Sequence, residues 1–184
     1  MGRIVAHAAG DGESMTVVRL ARNGLVVLMG PAGSGKSFFA RRFFRRSQAV
    51  SSDRCREMII DDPRVQRVSG DAFELFYTIV EMRAKYGRLT VADATHLAAE
   101  YRARHLKIAE RYSRPVYLIV FEAPLETCLE RNRGRRRRVE EEVIRTQYAK
   151  FENQRDVIEA EKSRYTERFV IRPGELERTT VERF

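Results

Sequence analysis

The chain has 184 residues, with 35 Lys+Arg against 26 Asp+Glu, a formal net charge of +9 and a pI of about 10.0. That length fits one domain with one core, and 43% hydrophobic with 33% charged residues of mixed sign argues against general disorder. Cys55 and Cys128 belong to no C-x-x-C pair and His7, His96 and His105 form no ligand spacing, which argues against zinc or a disulfide framework and suits a reducing cytoplasm; there is also no apolar run of membrane-span length and no signal-peptide core.

In chain order, Met1 to Ser14 is small, polar and Gly-rich and reads as a flexible leader ahead of a single domain over 16–184. Met15 marks a second candidate start. Leu25 to Met29 (L-V-V-L-M) has the pattern of a buried parallel strand. Lys36 to Arg46 fits a helix with Phe38, Phe39, Phe43 and Phe44 as its apolar positions. Ala49 to Ser51 is a short second strand, Ala72 to Tyr86 a long amphipathic helix stopped by Gly87, and Leu89 to Ala92 a third strand. Ala98 to Tyr112 is helical, Val116 to Phe121 a fourth strand, and Leu125 to Arg131 a short helix. Val139 to about Ala160 reads as one long helix, Arg168 to Ile171 as a fifth strand, and Pro173-Gly174 as the turn into a last short helix. Such alternation specifies an α/β fold: a five-stranded parallel sheet flanked by helices, with the ligand at the carboxyl ends of the strands.

Gly30-Pro31-Ala32-Gly33-Ser34-Gly35-Lys36-Ser37 matches G-x-x-x-x-G-K-[ST] in full, with a buried strand entering and a helix leaving. The glycines let the loop curl so that backbone N–H groups face phosphate oxygens, and the helix adds the positive end of its dipole. Lys36 supplies a mobile charge to the β- and γ-phosphates, and Ser37 a hydroxyl to Mg²⁺. There is no N-K-x-D for guanine and no Asp-Glu pair of a motor ATPase, so a phosphotransferase is the expected class.

Ser51-Ser52-Asp53-Arg54-Cys55-Arg56 follows the second strand. A carboxylate there can orient or deprotonate an attacking hydroxyl, and Arg56, three residues on, shares its helical face. An acid beside a base suits an acceptor with both a hydroxyl and a phosphate; a helix cap from Ser52 or Asp53 is the plain alternative. Asp93-Ala94-Thr95-His96 ends the third strand. Asp93 is placed to bind Mg²⁺ through water, to hold the acceptor or Arg56, or to cap the next helix; His96 reads as a polar loop residue rather than a catalyst. Arg131 to Arg138 (R-N-R-G-R-R-R-R) holds six arginines and no acid, leaving +3 for everything else. A solvated helix face is one reading of that run. Downstream of a phosphate loop, an Arg-rich lid over about 131–139 that closes on a triphosphate is the preferred one.

The order of V-V-L-M-G-P-A-G-S-G-K-S, S-S-D-R-C-R, L-T-V-A-D-A-T, L-E-R-N-R-G-R and V-E-E-E-V-I-R resembles the kinase domain of bacterial polynucleotide kinase-phosphatase, from about Leu25 to near the C-terminus. The resemblance implies a 5′-hydroxyl polynucleotide kinase using ATP and Mg²⁺ on RNA or DNA ends in nucleic-acid repair. It aligns Asp53 with the general base and Arg56 with the arginine on the phosphate next to the acceptor hydroxyl. It aligns Lys36 and Ser37 with the phosphate-loop pair, Arg131 and Arg135 with lid arginines, and Asp93 with the acid of an Asp-Ala-Thr-Asn block. Gly30, Pro31, Ala32, Gly33, Ser34 and Gly35 complete the donor site, and Asp53 joins Asp93 as a candidate water-mediated Mg²⁺ contact.

This chain departs from the family in placing His96 where the family has Asn. Its arginine segment is one residue shorter, so the last functional arginine is Arg137 or Arg138, with Arg137 preferred. It stops about where members continue into phosphatase and ligase-like domains, which leaves an excised domain and a stand-alone kinase both open. The expected partner is a nucleic-acid 5′-hydroxyl end, with no membrane; a homodimer and linked or separate phosphatase and ligase modules stay open. Two rivals remain: a small-molecule kinase, which needs no Arg56 contact to a distant phosphate, and a nucleotide-gated nucleic-acid-binding module, which needs no Asp53.

Overall fold

A computed structural model describes residues 15–184. The expected leader lies outside the described residues, except Met15, which is exposed coil. Five parallel strands form the main sheet: β2 (Leu25–Met29), β3 (Ala49–Ser51), β4 (Thr90–Asp93), β5 (Val116–Phe121) and β6 (Glu167–Ile171). Their order is β3-β4-β2-β5-β6, a parallel sheet covered by helices as the alternating pattern requires. Before β2 lies β1 (Thr16–Leu20), and after β6 lies β7 (Thr179–Arg183); these pair with each other, parallel, as a separate two-stranded sheet.

Burial of β2 and β5 at every residue explains their unbroken apolar sequence. Side chains alternate between the two faces. Leu118 and Val120 join one core with α3 (Ser69–Lys85) and α4 (Ala99–Arg111), through Phe76, Val80, Leu106 and Ala109. Tyr117, Ile119 and Phe121 join another with Phe39 and Ala40 of α1 (Lys36–Phe43) and with Val18 and Leu20 of β1. No helix among the described residues is long and apolar enough to cross a membrane.

Three expectations change. The tail after Pro173-Gly174 does not end in a helix: Thr179, Thr180 and Val181 are β-branched and extend to pair with β1. The long helix from Val139 is two, α6 (Glu141–Glu152) and α7 (Arg155–Ala160). At the break the Gln154 N–H turns back to Phe151 O, a tightening that lets Gln154 and Glu161 converge on the buried Arg102 of α4. Helix α1 stops at Phe43, and Phe38 is 46% exposed beneath the Arg42 guanidinium rather than in the core. Elsewhere the expected bounds shift by a few residues, and α2 (Ser52–Ile60) and α5 (Leu125–Arg133) complete the layer around the site.

Candidate active site

The strand register sets out the site. Asp93, the last residue of β4, pairs with Leu28 of β2 on one side and with Ser51 of β3 on the other. The loop leaving β2 and the helix leaving β3 therefore flank one central carboxylate. All three lie at the carboxyl edge of the sheet, where parallel α/β folds place ligands.

Left-handed or otherwise positive φ at Gly30 (148°), Gly33 (86°) and Gly35 (113°) curls the loop, and α1 starts directly from Gly35. The first amides of α1 have no intrahelical acceptor and carry the positive end of its dipole. Lys36 folds back over the loop, its Nζ donating to Pro31 O at 2.7 Å and Ser34 Oγ at 3.3 Å. The Ser37 hydroxyl donates to Asp93 Oδ1 at 3.2 Å. Burial lowers the Lys36 ammonium to about 8, against the pull of Asp93. Burial likewise raises the Asp93 carboxyl, against the pull of Lys36. For both groups desolvation outweighs mutual attraction, so a bound polyanion and cation would relieve the site. A hydroxyl beside a carboxylate is a hard-oxygen pair that fits Mg²⁺, which takes few protein ligands and keeps water and phosphate oxygens for the rest.

On the other flank, Asp53 occupies the first turn of α2 and is gripped twice. Arg56 Nη2 donates to its Oδ1, and Arg137 Nη1 to its Oδ2 at 2.9 Å. Both arginines also donate to Pro63 O, at 3.0 Å from Arg56 Nε and 2.9 Å from Arg137 Nη2. Arg56 is buried whereas the Asp53 side chain is half exposed, so the carboxylate faces outward from a buried base. Its charge reaches Lys36, Asp93 and Arg135.

The arginine segment straddles the end of α5. Arg131 Nη1 donates to Ser34 O of the phosphate loop at 3.3 Å. Arg133 points to Glu141 at 2.9 Å, away from the site. Arg135 lies within electrostatic reach of Asp53 and Asp93, and desolvation and then the like charge of Arg41 lower its guanidinium. Arg137 reaches Asp53; Arg138 is exposed and makes no ion pair among the described residues. The buried Asn132 closes the segment's base, its Nδ2 donating to Val139 O at 2.8 Å and its Oδ1 accepting from Val139 N–H at 2.9 Å.

His96 is a loop residue, as expected, but it is not solvated. It is buried at φ 46°, in the loop between β4 and α4. Its Nδ1 lies 2.7 Å from Leu28 O, so that nitrogen carries the proton and donates. His96 Nε2 is then an acceptor for His105 Nε2–H at 2.9 Å, which leaves His105 Nδ1 a buried lone pair with no partner among the described residues. Burial lowers His96 to about 4 and pushes His105 well below its ordinary value. The pair is neutral packing behind the phosphate loop, not a proton donor to it. Sequence reading also passed over Asn132, Arg41 and Gln147. The last lies on the inner face of α6, three residues after the buried Ile144, and that spacing is the signal that marks it.

The fold and loop define a P-loop nucleotide-binding domain of kinase-like architecture. Residues 25–154 match the AAA domain family, and the chain belongs to that family. Among solved structures it is similar to Chaetomium thermophilum Kti12 in complex with ADP-AlF3, at 15% identity and TM-score 0.59, covering 82% of this chain and 89% of that one. It is similar to a gluconokinase from Sinorhizobium meliloti 1021, at 17% identity and TM-score 0.52, covering 84% and 85%. It is also similar to a sugar kinase from Janibacter sp. HTCC2649, at 18% identity and TM-score 0.51, covering 81% and 84%. These likenesses are to the fold. No curated protein matches the chain.

Proposed function

We propose that the protein transfers the γ-phosphate of ATP to the 5′-hydroxyl end of RNA or DNA. The observation that carries this reading is the Arg56–Asp53–Arg137 group beside the phosphate loop. A half-exposed carboxylate is available to a hydroxyl, and a buried guanidinium beside it is available to a phosphate on the same acceptor. The sequence resemblance to the polynucleotide kinase domain and the basic balance of the chain point the same way. A neutral sugar acceptor would give Arg56 no anionic group to hold.

In the proposed reaction, loop amides, Lys36 and Ser37 hold the triphosphate. Asp53 accepts the proton of the 5′-hydroxyl as its oxygen forms a bond to the γ-phosphorus. The bond from that phosphorus to the β–γ bridging oxygen breaks, and ADP leaves. Lys36, Arg131 and Arg135 stabilise the charge spread over the transferring group. Both Asp53 oxygens accept from arginines, so Arg137 exchanges from the carboxylate to the phosphoryl oxygens as the acceptor arrives. Ser37 and Asp93 would hold Mg²⁺, which when bound supplies charge neutralisation of the phosphates.

The test is transfer of γ-label from ATP to a 5′-hydroxyl oligonucleotide by the wild type, Lys36→Ala and Asp53→Ala. Label on the oligonucleotide that both substitutions abolish is the expected result. Label only on sugars or nucleosides would establish the small-molecule reading. Tight oligonucleotide binding without transfer would establish the binding module.

A further inference from the structure

The first half of the phosphate loop is held from outside by the two helices that flank the arginine segment. Ala32 N–H donates to Gln147 Oε1 of α6 at 2.8 Å, and Ala32 packs against a small core of Cys128, Leu129 and Ile144. Gly33 rests so closely on α5 that a Cβ there would lie 2.3 Å from the Cys128 carbonyl oxygen. Ser34 O receives Arg131. Three consecutive loop residues are thus fixed by α5 and α6. Those helices are joined by the Arg133–Glu141 ion pair, and Asn132 of α5 is hydrogen-bonded to Val139 just ahead of α6.

Within this stretch the Ala32 amide has one solution. Pro31 has no N–H, and the Ser34 N–H closes a turn on Pro31 O at 3.2 Å. The Ala32 N–H is half-buried and turned toward α6, where Gln147 supplies its acceptor. A side chain of equal length without an acceptor would leave that donor unpaired or force the loop to turn it elsewhere. Either way the later loop residues would lose their fixed orientation and would have to be ordered when the triphosphate binds, which weakens binding.

We propose that Gln147 is a positioning residue for the phosphate loop. Its side-chain carbonyl seats the Ala32 amide and so aims the rest of the loop at the nucleotide. The proposal rests on the reading of the loop as a triphosphate site and not on the identity of the acceptor. Gln147 couples α6, which follows the arginine segment, to the loop as Arg131 couples α5, which precedes it. The loop and the base of the segment then move as one body.

The experiment compares full-chain wild type, Gln147→Met and Gln147→Glu for ATP affinity by calorimetry with Mg²⁺ and no acceptor, and for amide hydrogen exchange resolved at Ala32. Gln147→Met should raise the Kd for ATP by about fivefold, the loss expected of one backbone hydrogen bond. It should also speed exchange at Ala32 by roughly tenfold, while exchange in α5, α6 and the strands stays as in wild type. Gln147→Glu keeps an acceptor at the same reach and should restore protection at Ala32. A Kd for Gln147→Met within twofold of wild type overturns the proposal, as does unchanged exchange at Ala32 or failure of Gln147→Glu to restore it. A weaker Kd accompanied by faster exchange throughout α5 and α6 also overturns it, because Gln147 would then be holding helices rather than the loop. Wild type that binds ATP without labelling an oligonucleotide defeats the proposed function and leaves this inference standing. Wild type that does not bind ATP defeats both.

Discussion

The two halves of the site are built by different means. The donor half is backbone geometry: three glycines at positive φ, a helix start and a buried lysine, braced by α5 and α6. The acceptor half is side chains: Asp53 between two arginines, on the first turn of a helix whose outer face is solvent. Backbone geometry binds what every member of a large class shares, the triphosphate. Side chains on a helix turn can be exchanged without disturbing the sheet, so the choice of acceptor resides there.

Substitutions in the two halves should therefore separate. Lys36→Ala should lower transfer by at least about 10³-fold and weaken ATP binding, whereas Asp53→Ala should lower transfer by about 10²–10³-fold with ATP affinity within threefold of wild type. Equal loss of ATP affinity in both, read by calorimetry, would erase the division. Next in size, Arg137→Ala should lower kcat by about 30-fold and Arg138→Ala by less than twofold, in steady-state transfer assays. The reverse order would move the functional arginine by one residue. Arg56→Ala should raise the oligonucleotide KM by about tenfold and leave the ATP KM within threefold.

The titration of the donor half offers a gentler test. The Lys36 pKa is lowered to about 8, so the free protein loses that charge as pH rises through 8, and ATP affinity should fall from there upward, by at most about tenfold per pH unit. Below pH 8 affinity should be flat with respect to this group. Lys36→Arg should remove the decline; a decline that persists in that variant assigns it to another group. In stability, neutral burial of His96 at about 4 against an ordinary 6.5 means the unfolded chain binds the extra proton between those values. Stability should drop as pH falls through that window, by up to about 3 kcal/mol from this group. His96→Asn, monitored by thermal melting from pH 7 to 4, should reduce the drop and leave the part due to His105.

The same division governs what the sequence made legible. Consecutive residues sufficed for the phosphate loop, because its shape is local and its glycines and lysine are spaced by it. They sufficed for the sheet as well, since Leu25–Met29 and Val116–Phe121 are apolar throughout for a reason that needs no partner to be known. They did not suffice where the partner is distant. Thr179–Arg183 becomes a strand only because Thr16–Leu20 lies alongside it, and neither segment shows that from its own pattern. The break before Arg155 reflects a demand from Arg102, some fifty residues earlier in the chain. His96 is in a loop, as its place after a strand suggests, but its burial against Leu28, Phe76 and His105 comes from partners distant in the chain. Gln147 carries no motif, and its meaning comes from a loop more than a hundred residues away.

The small sheet of β1 and β7 has a consequence for how the molecule comes together. Its paired residues are separated by 163 positions, with Thr16 opposite Thr179 and Leu20 opposite Arg183. A parallel pairing over that span cannot nucleate locally, and its loop-closure entropy is recovered only once the intervening chain has collapsed. Val18 and Leu20 nevertheless contribute to the core beneath α1. β1 is therefore secured late, and until β7 joins it the apolar ground under the phosphate-loop helix stays open to water.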